Sequence, residues 1–519
     1  MIAALAVLGC QTPEPTTPTP PGELALSVEP TVELVNPDVP LARLLTFATE
    51  EPSEATVHWS DGDLEATVEL PAATEHELSL LRMRADREVE VHLTVRAGGA
   101  STERTLSFHT ASLPPKFPDI TVHQLVADAM EPGDTLVGVV AGGVGAWQVV
   151  LDPEGEVVWW WARDPRILEL QLRSDGLLLG NAKEGALIEL DWLGRIRRQW
   201  VPYGDPTTTI PVAVPTFHHD VQRLPDGTML AMSKQNVSVR DFPASYDDPS
   251  LRADATVRDD EIVLLAQDGT VIREIPYSTA IPYERIGYTS LVGNPKDWVH
   301  GNGVAWSPEN DAIVISSRAQ DTLVGLDLDG TVRWILANPA NWPAASESLR
   351  LQPVGEPFRW PYKQHAPEWF GGDRIMMFDN GNRQASPWTG EDDLTSLETW
   401  SRVVEYRIDE QAMTVEQAWE FEIPGVRLFG DYMGDADHLP GGTVLGDFAG
   451  VIAMNGRYLA DYGLGRHLIR LVEFVPETGE LLWDVELSSA AEEVPDGWNS
   501  YRAQRLPVGW EAGAVSDLP

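Results

Sequence analysis

The chain has almost no cysteine and, beyond its N-terminus, no long apolar run. Cys10 is the single cysteine among 519 residues, so no disulfide can form within the chain. No internal segment approaches the ~18 continuous apolar residues that a membrane-spanning helix needs. The sequence therefore excludes a small domain held together by disulfides and a protein that crosses a membrane several times.

Basic residues are scarce relative to acidic ones. The 37 Lys and Arg residues are outnumbered by 80 Asp and Glu residues, and the net charge is -43. A surface of that sign repels phosphate backbones, so we expect no nucleic-acid partner. Solubility is a sufficient explanation for the excess of negative charge.

Several common catalytic signatures are missing from the chain. The dipeptide Gly-Lys does not occur, which excludes a phosphate-binding P-loop. There is no H-E-x-x-H motif and no cysteine-based metal site. We therefore expect neither a metal nor a cofactor.

The N-terminus reads "MIAALAVLGCQTPEPTTPTPPGE". Its apolar run ends in Leu-Gly-Cys10 and resembles a bacterial lipoprotein signal over residues 1–10, in which Cys10 becomes the lipidated first residue. A positive n-region is missing and the run is short, so an apolar N-terminus without a signal role is the alternative. Residues 11–22, rich in Pro and Thr, indicate a tether. We expect a lipoprotein of the cell envelope, facing the periplasm or the surface, that meets the membrane through its lipid anchor only.

Residues 23–112 alternate apolar and polar positions in short runs separated by turn residues. This pattern predicts a small β-sandwich. The stretch "SLPPKFP" at residues 112–118 predicts a boundary between this domain and the rest of the chain.

Beyond the boundary the chain repeats a pair of extended runs joined by a turn. A turn glycine between two runs of period two predicts a β-hairpin. Six such hairpins turn at Gly155, Gly194, Gly269, Gly330, near Gln411 and at Gly479. A second hairpin precedes each one, so the unit has four strands. We predict an all-β fold with a six-bladed β-propeller over residues 119–519, in which the late segment "SYRAQRLP" completes the first blade.

The propeller topology predicts where chemically active side chains gather. In each blade, the first strand begins and the second strand ends at the same face of the disc. His219, His300 and His365 stand at the first-strand starts of blades three, four and five. Arg318 and Arg383 follow the second strands of blades four and five, so we expect all five side chains at one mouth. His218 is expected to point outward, because neighbouring strand residues face opposite ways.

These groups suit transfer of a sulfuryl or phosphoryl group. Neutral imidazole is a nucleophile and its protonated form a general acid, while guanidinium binds tetrahedral oxyanions through paired hydrogen bonds. A lone histidine at a strand end is more often structural, and Arg383 is as easily a salt bridge between blades. Asn302 and Asn380 are turn formers first and substrate ligands second.

The motifs "FHHDVQRLPDGTML", "DWVHGNGVAWSPENDAIVISSRAQ", "QHAPEWFGGDRIMMFDNGNR" and "YRAQR" resemble the bacterial arylsulfotransferase family. The resemblance implies a six-bladed propeller with a small N-terminal β-domain. It implies transfer of sulfate from an aryl ester to a phenol through a sulfated histidine, without a nucleotide donor. It also implies that His219, His300, His365 and Arg383 are active-site residues and that aryl sulfates and phenols are the partners.

One position departs from the family pattern. The sulfated histidine is expected in the blade after the arginine, where this chain has Asp447. His438 lies nearby, but strand geometry puts it at the opposite face, so we do not expect it to be the nucleophile. Either another mouth histidine takes that role, or Asp447 contacts substrate differently, or the site binds without turnover. The alternative function is therefore a non-catalytic surface propeller that binds an anionic ligand or a protein partner.

Overall fold

The computed structural model describes residues 23–162, 167–182, 185–459, 466–490 and 492–511. Nearly all regular structure in these residues is β-strand, with two short 3-10 helices at Tyr277–Thr279 and Ala344–Leu349. The all-β prediction is thus confirmed. None of the helices in the described ranges has the length and apolarity needed to cross a bilayer. Cys10, the predicted signal and the predicted tether lie outside the described residues.

An N-terminal sheet precedes the repeats. Its five strands are β1 Leu26–Glu33, β2 Arg43–Ser60, β3 Glu65–Leu80, β4 Glu88–Ala97 and β5 Ala100–His109. The first half of the long β2 pairs with β1, its second half pairs with β4, and β3 follows it throughout with irregular register near Ser53. The strands are connected as one sheet. Alternate residues of β4 are buried, as period-two patterning requires. A two-sheet sandwich stays a prediction.

Beyond β6 (Asp119–Leu125), the described residues form successive, mainly antiparallel sheets. The first sheet contains β7 Thr135–Ala141, β8 Gly145–Leu151 and β9 Val157–Ala162. The second sheet contains β10 Ile167–Leu172, β11 Leu178–Ala182, β12 Ala186–Leu190, β13 Ile196–Pro202 and β14 Ile210–Val212. The third sheet contains β15 Val221–Arg223, β16 Met229–Pro243, β17 Arg252–Leu265 and β18 Val271–Pro276.

The fourth sheet contains β19 Gly301–Ser307, β20 Ala312–Ser317, β21 Thr322–Asp327 and β22 Val332–Ala337. The fifth sheet contains β23 Gln352–Val354, β24 His365–Phe370, β25 Arg374–Asp379, β26 Arg402–Asp409 and β27 Thr414–Phe421. The sixth sheet contains β29 Asp435–His438, β30 Val444–Phe448, β33 Ile469–Val475 and β34 Glu480–Ser488. A small three-stranded sheet is made of β28 Leu428–Gly430, β31 Val451–Met454 and β32 Arg457–Tyr458. All six predicted outer hairpins are present.

The sheets close into a ring. The predicted late strand exists as β35 (Ala503–Arg505) and pairs with β7 as the inner strand of the first sheet. The hairpin predicted over residues 127–140 is wrong in its first strand: residues 126–134 form no strand, and β35 pairs with β7 in that place. Successive sheets contact one another near the centre through the pairs β7 and β10, β11 and β15, β15 and β19, β19 and β24, and β24 and β29, and β29 of the sixth sheet contacts β35. β6 joins the sixth sheet as its outermost strand. The architecture is propeller-like.

Each sheet is covered by its neighbours on both faces. Separate hydrophobic cores lie between consecutive sheets, for example between the third and fourth and between the fourth and fifth. Trp159, Trp334 and Trp483 are fully buried in these layers. Burying a large apolar side chain stabilises a fold by roughly 1.5–3 kcal/mol, so every sheet depends on the next for its core.

Inner strands approach closely near the centre. A Cβ atom at Gly303 in β19 would lie 2.6 Å from Cδ of Pro367 in β24. Only glycine permits that approach, which brings the starts of β19 and β24 side by side. These starts are where two of the candidate histidines lie.

Candidate active site

Three histidines lie where the inner strands begin. His219 precedes β15, His300 precedes β19 directly, and His365 is the first residue of β24. His219 and His300 both have left-handed backbones, with φ of +56° and +44°. At His219 the N–H of Asp220 donates to the carbonyl of His218 at 2.8 Å, which makes a tight turn. Strained non-glycine backbone of this kind is found where a side chain must be aimed.

The imidazoles of His219 and His300 are neighbours. Their ring centroids are 5.2 Å apart and the planes meet at 73°. Burial lowers the pKa of His219 well below its ordinary value, and the nearby imidazoles of His218, His300 and His365 lower it further. His219 is therefore a neutral base in this setting. We call His219, His300, His365 and Arg318 the histidine mouth.

His300 is paired with a carboxylate. Its Nδ1–H donates to Oδ2 of Asp297 at 2.6 Å, and its side chain is 30% exposed. Burial alone would raise the pKa of Asp297, but the hydrogen bond and charge of His300, with Arg258, bring that pKa to about 2. The carboxylate stays ionised and supports an imidazolium. A carboxylate on Nδ1 leaves Nε2 for proton transfer with substrate.

His365 is held more tightly than His300. Its Nδ1–H donates to Oδ1 of Asn380 at 2.6 Å, and its Nε2 accepts the N–H of Met433 at 3.2 Å. Only 4% of the residue is exposed. Burial lowers the pKa of His365 well below its ordinary value, and the charge of Arg318 is the next largest cause. His365 is thus a neutral imidazole, and the guanidinium of Arg318 is near enough to act on it electrostatically.

Arg318 is the guanidinium within the mouth. Its backbone N–H donates to the carbonyl of His300 at 3.0 Å, and its Nη2 donates to the carbonyl of Asp431 at 3.0 Å. Its Nε has no hydrogen-bond partner within the described ranges. A buried donor without a partner is costly, so this guanidinium is ready to bind an oxyanion.

Arg383 does not join the mouth. It pairs with Asp393 and lies over the ring of Tyr288 at 4.4 Å, and its side chain is 47% exposed. None of its contacts within the described residues is with a candidate histidine. Arg318, predicted as a substrate-binding residue, holds the place that was expected for Arg383.

The other predicted ligands are buried beneath the mouth. Asn380 is fully engaged, because its Nδ2 donates to the carbonyls of Gly430 and Met433 while Oδ1 holds His365. Asn302 donates to the carbonyl of Gln364 at 2.7 Å and is completely buried. Both asparagines position neighbouring chain segments, and Asn380 also fixes the tautomer of His365.

Asp447 is buried as a neutral acid. Ser500 Oγ donates to its Oδ1 at 2.7 Å, while Oδ2 has no partner among the residues described. Burial raises the pKa of Asp447 to about 8. His438 packs on Phe370 at the far end of β24, with ring centroids 4.8 Å apart. The prediction that His438 lies at the face opposite His365 agrees with that contact.

Sequence reasoning missed three contributors. His218 turns toward His219, with 2.7 Å between the two Nδ1 atoms, so the prediction that it points outward is wrong. Strand alternation does not apply there, because the pair lies in the turn before β15. Asp297 stands three residues before His300 in "DWVH", which was a readable signal. The ring centroid of Tyr501 lies 6.1 Å from that of His219; Tyr501 begins the motif "YRAQR", but no place at the mouth was predicted for it.

A second polar region lies below the mouth. A cavity of about 180 Å³ is lined by residues of all six inner strands. We call it the carboxylate cavity; its charged residues are Asp220, Glu368, Asp435, Asp437 and Arg502, with Glu169 against Arg502. Over the described part of the chain, no group of three or more His, Cys, Asp or Glu side chains has the arrangement of a metal site.

The geometry of the mouth suits group transfer to and from an anion. It offers a neutral imidazole beside a guanidinium, and a carboxylate-backed imidazole that can carry a proton. Neither group requires a metal in order to act in this way.

The chain was compared with known proteins. A family model described as arylsulfotransferase (ASST) matches residues 121–502. Arylsulfate sulfotransferase AssT of Lelliottia amnigena is 34% identical over 146 residues, which is 25% of this chain and 24% of the relative. The AssT of Escherichia coli O6:H1 is 33% identical over the same length and shares. The matched segment thus spans about a quarter of the length of these curated relatives.

Solved structures resemble the chain only distantly. A quinonprotein alcohol dehydrogenase-like protein from Bacteroides thetaiotaomicron has a TM-score of 0.32 and 9% identity, covering 95% of this chain and 98% of its own. A periplasmic gluconolactonase of Pseudomonas aeruginosa has a TM-score of 0.32 and 11% identity, covering 88% of this chain and 100% of its own. At these scores neither structure bears on the chemistry of the mouth.

Proposed function

The chain belongs to the arylsulfotransferase family, and from this premise we propose that it transfers a sulfuryl group from an aryl sulfate ester to a phenol. The transfer passes through a histidine intermediate and uses no nucleotide sulfate donor. The observation that carries the proposal is the position of Arg318: its backbone N–H donates to the carbonyl of His300, and its guanidinium acts electrostatically on His365. An oxyanion bound there meets a nucleophile and a proton carrier together.

We assign the nucleophile to His365. Its proton is fixed on Nδ1 by Asn380, so Nε2 carries the lone pair. The backbone N–H of Met433 contacts that nitrogen at 3.2 Å and would turn to a sulfuryl oxygen when substrate binds. With Arg318 as the family's arginine, the histidine of the next sheet is His365. The chain then no longer departs from the family pattern, because the sheet after Arg318 is the fifth, which carries His365, whereas Asp447 is in the sixth.

Proton transfer is assigned to His300. In the first step, Nε2 of His365 attacks sulfur, the bond from sulfur to the aryl oxygen breaks, and protonated His300 gives its proton to the leaving phenolate. In the second step, His300 takes the proton of the acceptor phenol, whose oxygen attacks sulfur as the sulfur–nitrogen bond breaks. Asp297 stabilises the imidazolium that is present before the first step and is formed again in the second.

The test is mass spectrometry after incubation with p-nitrophenyl sulfate and no acceptor. We expect a gain of about 80 Da, one sulfuryl group, on His365, as covalent catalysis requires. His365→Ala should abolish both the label and p-nitrophenol release. His438→Ala, at the end of the neighbouring strand β29 and away from the mouth, should keep both. A label on any other residue would reassign the nucleophile, and turnover by His365→Ala would exclude His365 from that role.

A second candidate function is non-catalytic binding of an anionic ligand or a protein partner. One observation favours it: both ring nitrogens of His365 are hydrogen-bonded and the residue is 4% exposed. Absence of any label or turnover with several aryl sulfates, together with sulfate-dependent stabilisation, would support this function instead.

The wider organisation is part of the same proposal. We infer that the six sheets between β7 and β35 are the six blades of a propeller, with a sandwich-type domain over residues 23–112 before them. The N-terminal segment around Cys10 is proposed as a lipoprotein signal that places the protein in the cell envelope. Metabolic labelling with a palmitate analogue tests this point, and a Cys10→Ser variant that still takes up label would exclude it.

A further inference from the structure

His218 forms a hydrogen-bonded pair with His219. The two Nδ1 atoms are 2.7 Å apart, and the ring planes meet at 87°. On its other side, Nε2 of His218 lies 3.0 Å from the carbonyl oxygen of Ser233. The side chain of His218 is 13% exposed. One buried imidazole therefore connects a backbone carbonyl to a histidine of the mouth.

These contacts dictate the position of each proton. A carbonyl oxygen only accepts, so Nε2 of His218 must carry a hydrogen. A neutral imidazole has one N–H, so Nδ1 of His218 is a bare acceptor. Nδ1 of His219 must then be the donor across the 2.7 Å contact. It follows that the lone pair of His219 is on Nε2.

If Nδ1 of His218 were the donor to Nδ1 of His219, His218 would need a proton on both ring nitrogens. Burial lowers the pKa of His218 to about 3, and the positive charge of Lys234 adds to that shift. Asp260 lies 3.7 Å from Nε2 of His218, but burial raises the pKa of Asp260 to about 8 and leaves that carboxyl largely protonated. The charge of Asp297 raises the pKa of His218 but does not offset burial, so the neutral arrangement stands.

We propose that His218 is a positioning residue for proton transfer: it locks the proton of His219 on Nδ1, so that Nε2 of His219 accepts a hydrogen bond from protonated His300. The rings of His219 and His300 meet nearly edge-on at 5.2 Å between centroids, which leaves room for that bond. Asp297 holds Nδ1–H of His300 and His219 receives the other N–H, so the general acid is held in place between turnovers. The catalytic consequence rests on the proposed function, whereas the tautomer lock does not.

The first test is independent of activity. In protein labelled with ¹⁵N-histidine, long-range ¹H–¹⁵N correlation should show His218 protonated on Nε2 and His219 on Nδ1. In His218→Phe, the acceptor is lost and the Nε2–H form of His219 should appear. His218→Asn, whose amide oxygen replaces Nδ1 as acceptor, should restore the Nδ1–H form. An Nε2–H form of His219 in the unaltered protein overturns the proposal, whether or not the variants fold.

The second test is kinetic. General acid catalysis matters most for poor leaving groups, so His218→Phe should lower kcat by about tenfold for phenyl sulfate but stay within about threefold for p-nitrophenyl sulfate. KM should not change, and His218→Asn should recover the loss. An equal loss for both donors would overturn the catalytic part. If the unaltered protein turns over no aryl sulfate, the proposed function fails while the tautomer result still decides the lock.

Discussion

The histidine mouth and the carboxylate cavity lie on the same inner strands, yet they hold opposite chemistry. At the mouth, burial lowers the pKa of His219 and of His365, so bases have lost their protons. In the cavity, burial raises the pKa of Asp437 and of Glu169, so acids keep theirs. The same loss of solvent therefore removes charge at both places. The mouth keeps lone pairs that can react, whereas the cavity keeps two acids with raised pKa values, Asp437 and Glu169, near one guanidinium.

The cavity depends on its single guanidinium. Arg502 donates to both carboxylate oxygens of Asp220, at 2.7 and 3.2 Å, and lies 3.3 Å from Glu169. Arg502→Met leaves these acids without their charged partner, and we expect a loss of about 3–5 kcal/mol in the free energy of unfolding. Chemical denaturation measures it.

The matched control for that variant is Arg333→Met, which removes a more exposed pair with Asp327. It should cost less than about 1 kcal/mol. Equal losses for the two variants would mean that the cavity has no special need of its guanidinium.

A substitution at the histidine mouth should lower the turnover rate rather than the free energy of unfolding. Arg318→Gln removes the guanidinium beside His365, and we expect p-nitrophenyl sulfate turnover to fall about 10²–10³-fold, as for the loss of one oxyanion donor. Arg383→Gln is the matched control, because its guanidinium pairs with Asp393 outside the mouth. Its turnover should stay within about threefold. The opposite ranking would restore Arg383 as the active-site arginine.

The two regions should respond to pH in opposite directions. Asp437 has a raised pKa in the folded protein, so its contribution to stability is present below about pH 4 and is lost as pH rises through the folded value. His219 has a lowered pKa, so its contribution is present above about pH 6.5 and is lost as pH falls. Asp260 and Asp447, whose pKa values burial raises to about 8, act in the same direction as Asp437, while Lys363, whose pKa burial lowers to about 8, opposes them. With more acids than bases titrating there, the melting temperature should rise on going from about pH 8.5 to 6.5.

Two substitutions separate these contributions. Asp437→Asn should flatten the change above about pH 6.5, by up to about 1.4 kcal/mol per pH unit, and His219→Gln should reduce the loss below it. A melting curve across pH for each variant measures this. An unchanged slope in Asp437→Asn would show that the cavity acid is not the titrating group.

The smallest effect is expected from sulfate alone. At ten times its dissociation constant, sulfate bound at the mouth should stabilise the protein by about 1.4 kcal/mol, measured as a rise in melting temperature. Arg318→Gln should remove the rise, and Asp437→Asn should retain it. Loss of the effect only in Asp437→Asn would move the anion site to the cavity.

Local patterns predicted the repeats well. Gly155 and Gly330, with φ of +81° and +93°, lie at hairpin turns that only a flexible residue forms easily. The order of hairpins also predicted that the late strand would close the ring. Strand β6 was not predicted as the outer strand of the sixth sheet, because its partner β34 is distant in sequence.

The choice between two arginines could not be read from the sequence. Arg318 and Arg383 both follow the second strands of consecutive sheets, so their positions look equivalent. The loop after β25 is left-handed at Arg383, with φ of +63°, and its side chain turns toward Tyr288. Arg318 begins a turn without a positive φ, and its backbone N–H donates to the carbonyl of His300. Backbone conformation, rather than spacing, separates the two residues.

The sequence by itself determined the all-β repeat and the blades that carry the histidines, because turn residues and period-two patterning act over a few neighbours. Only the tertiary structure decided which side chains meet: Arg318 rather than Arg383, His218 against His219, and Asp297 on His300. These contacts depend on packing between sheets and on strained turns at the strand starts, and no local pattern encodes either of them.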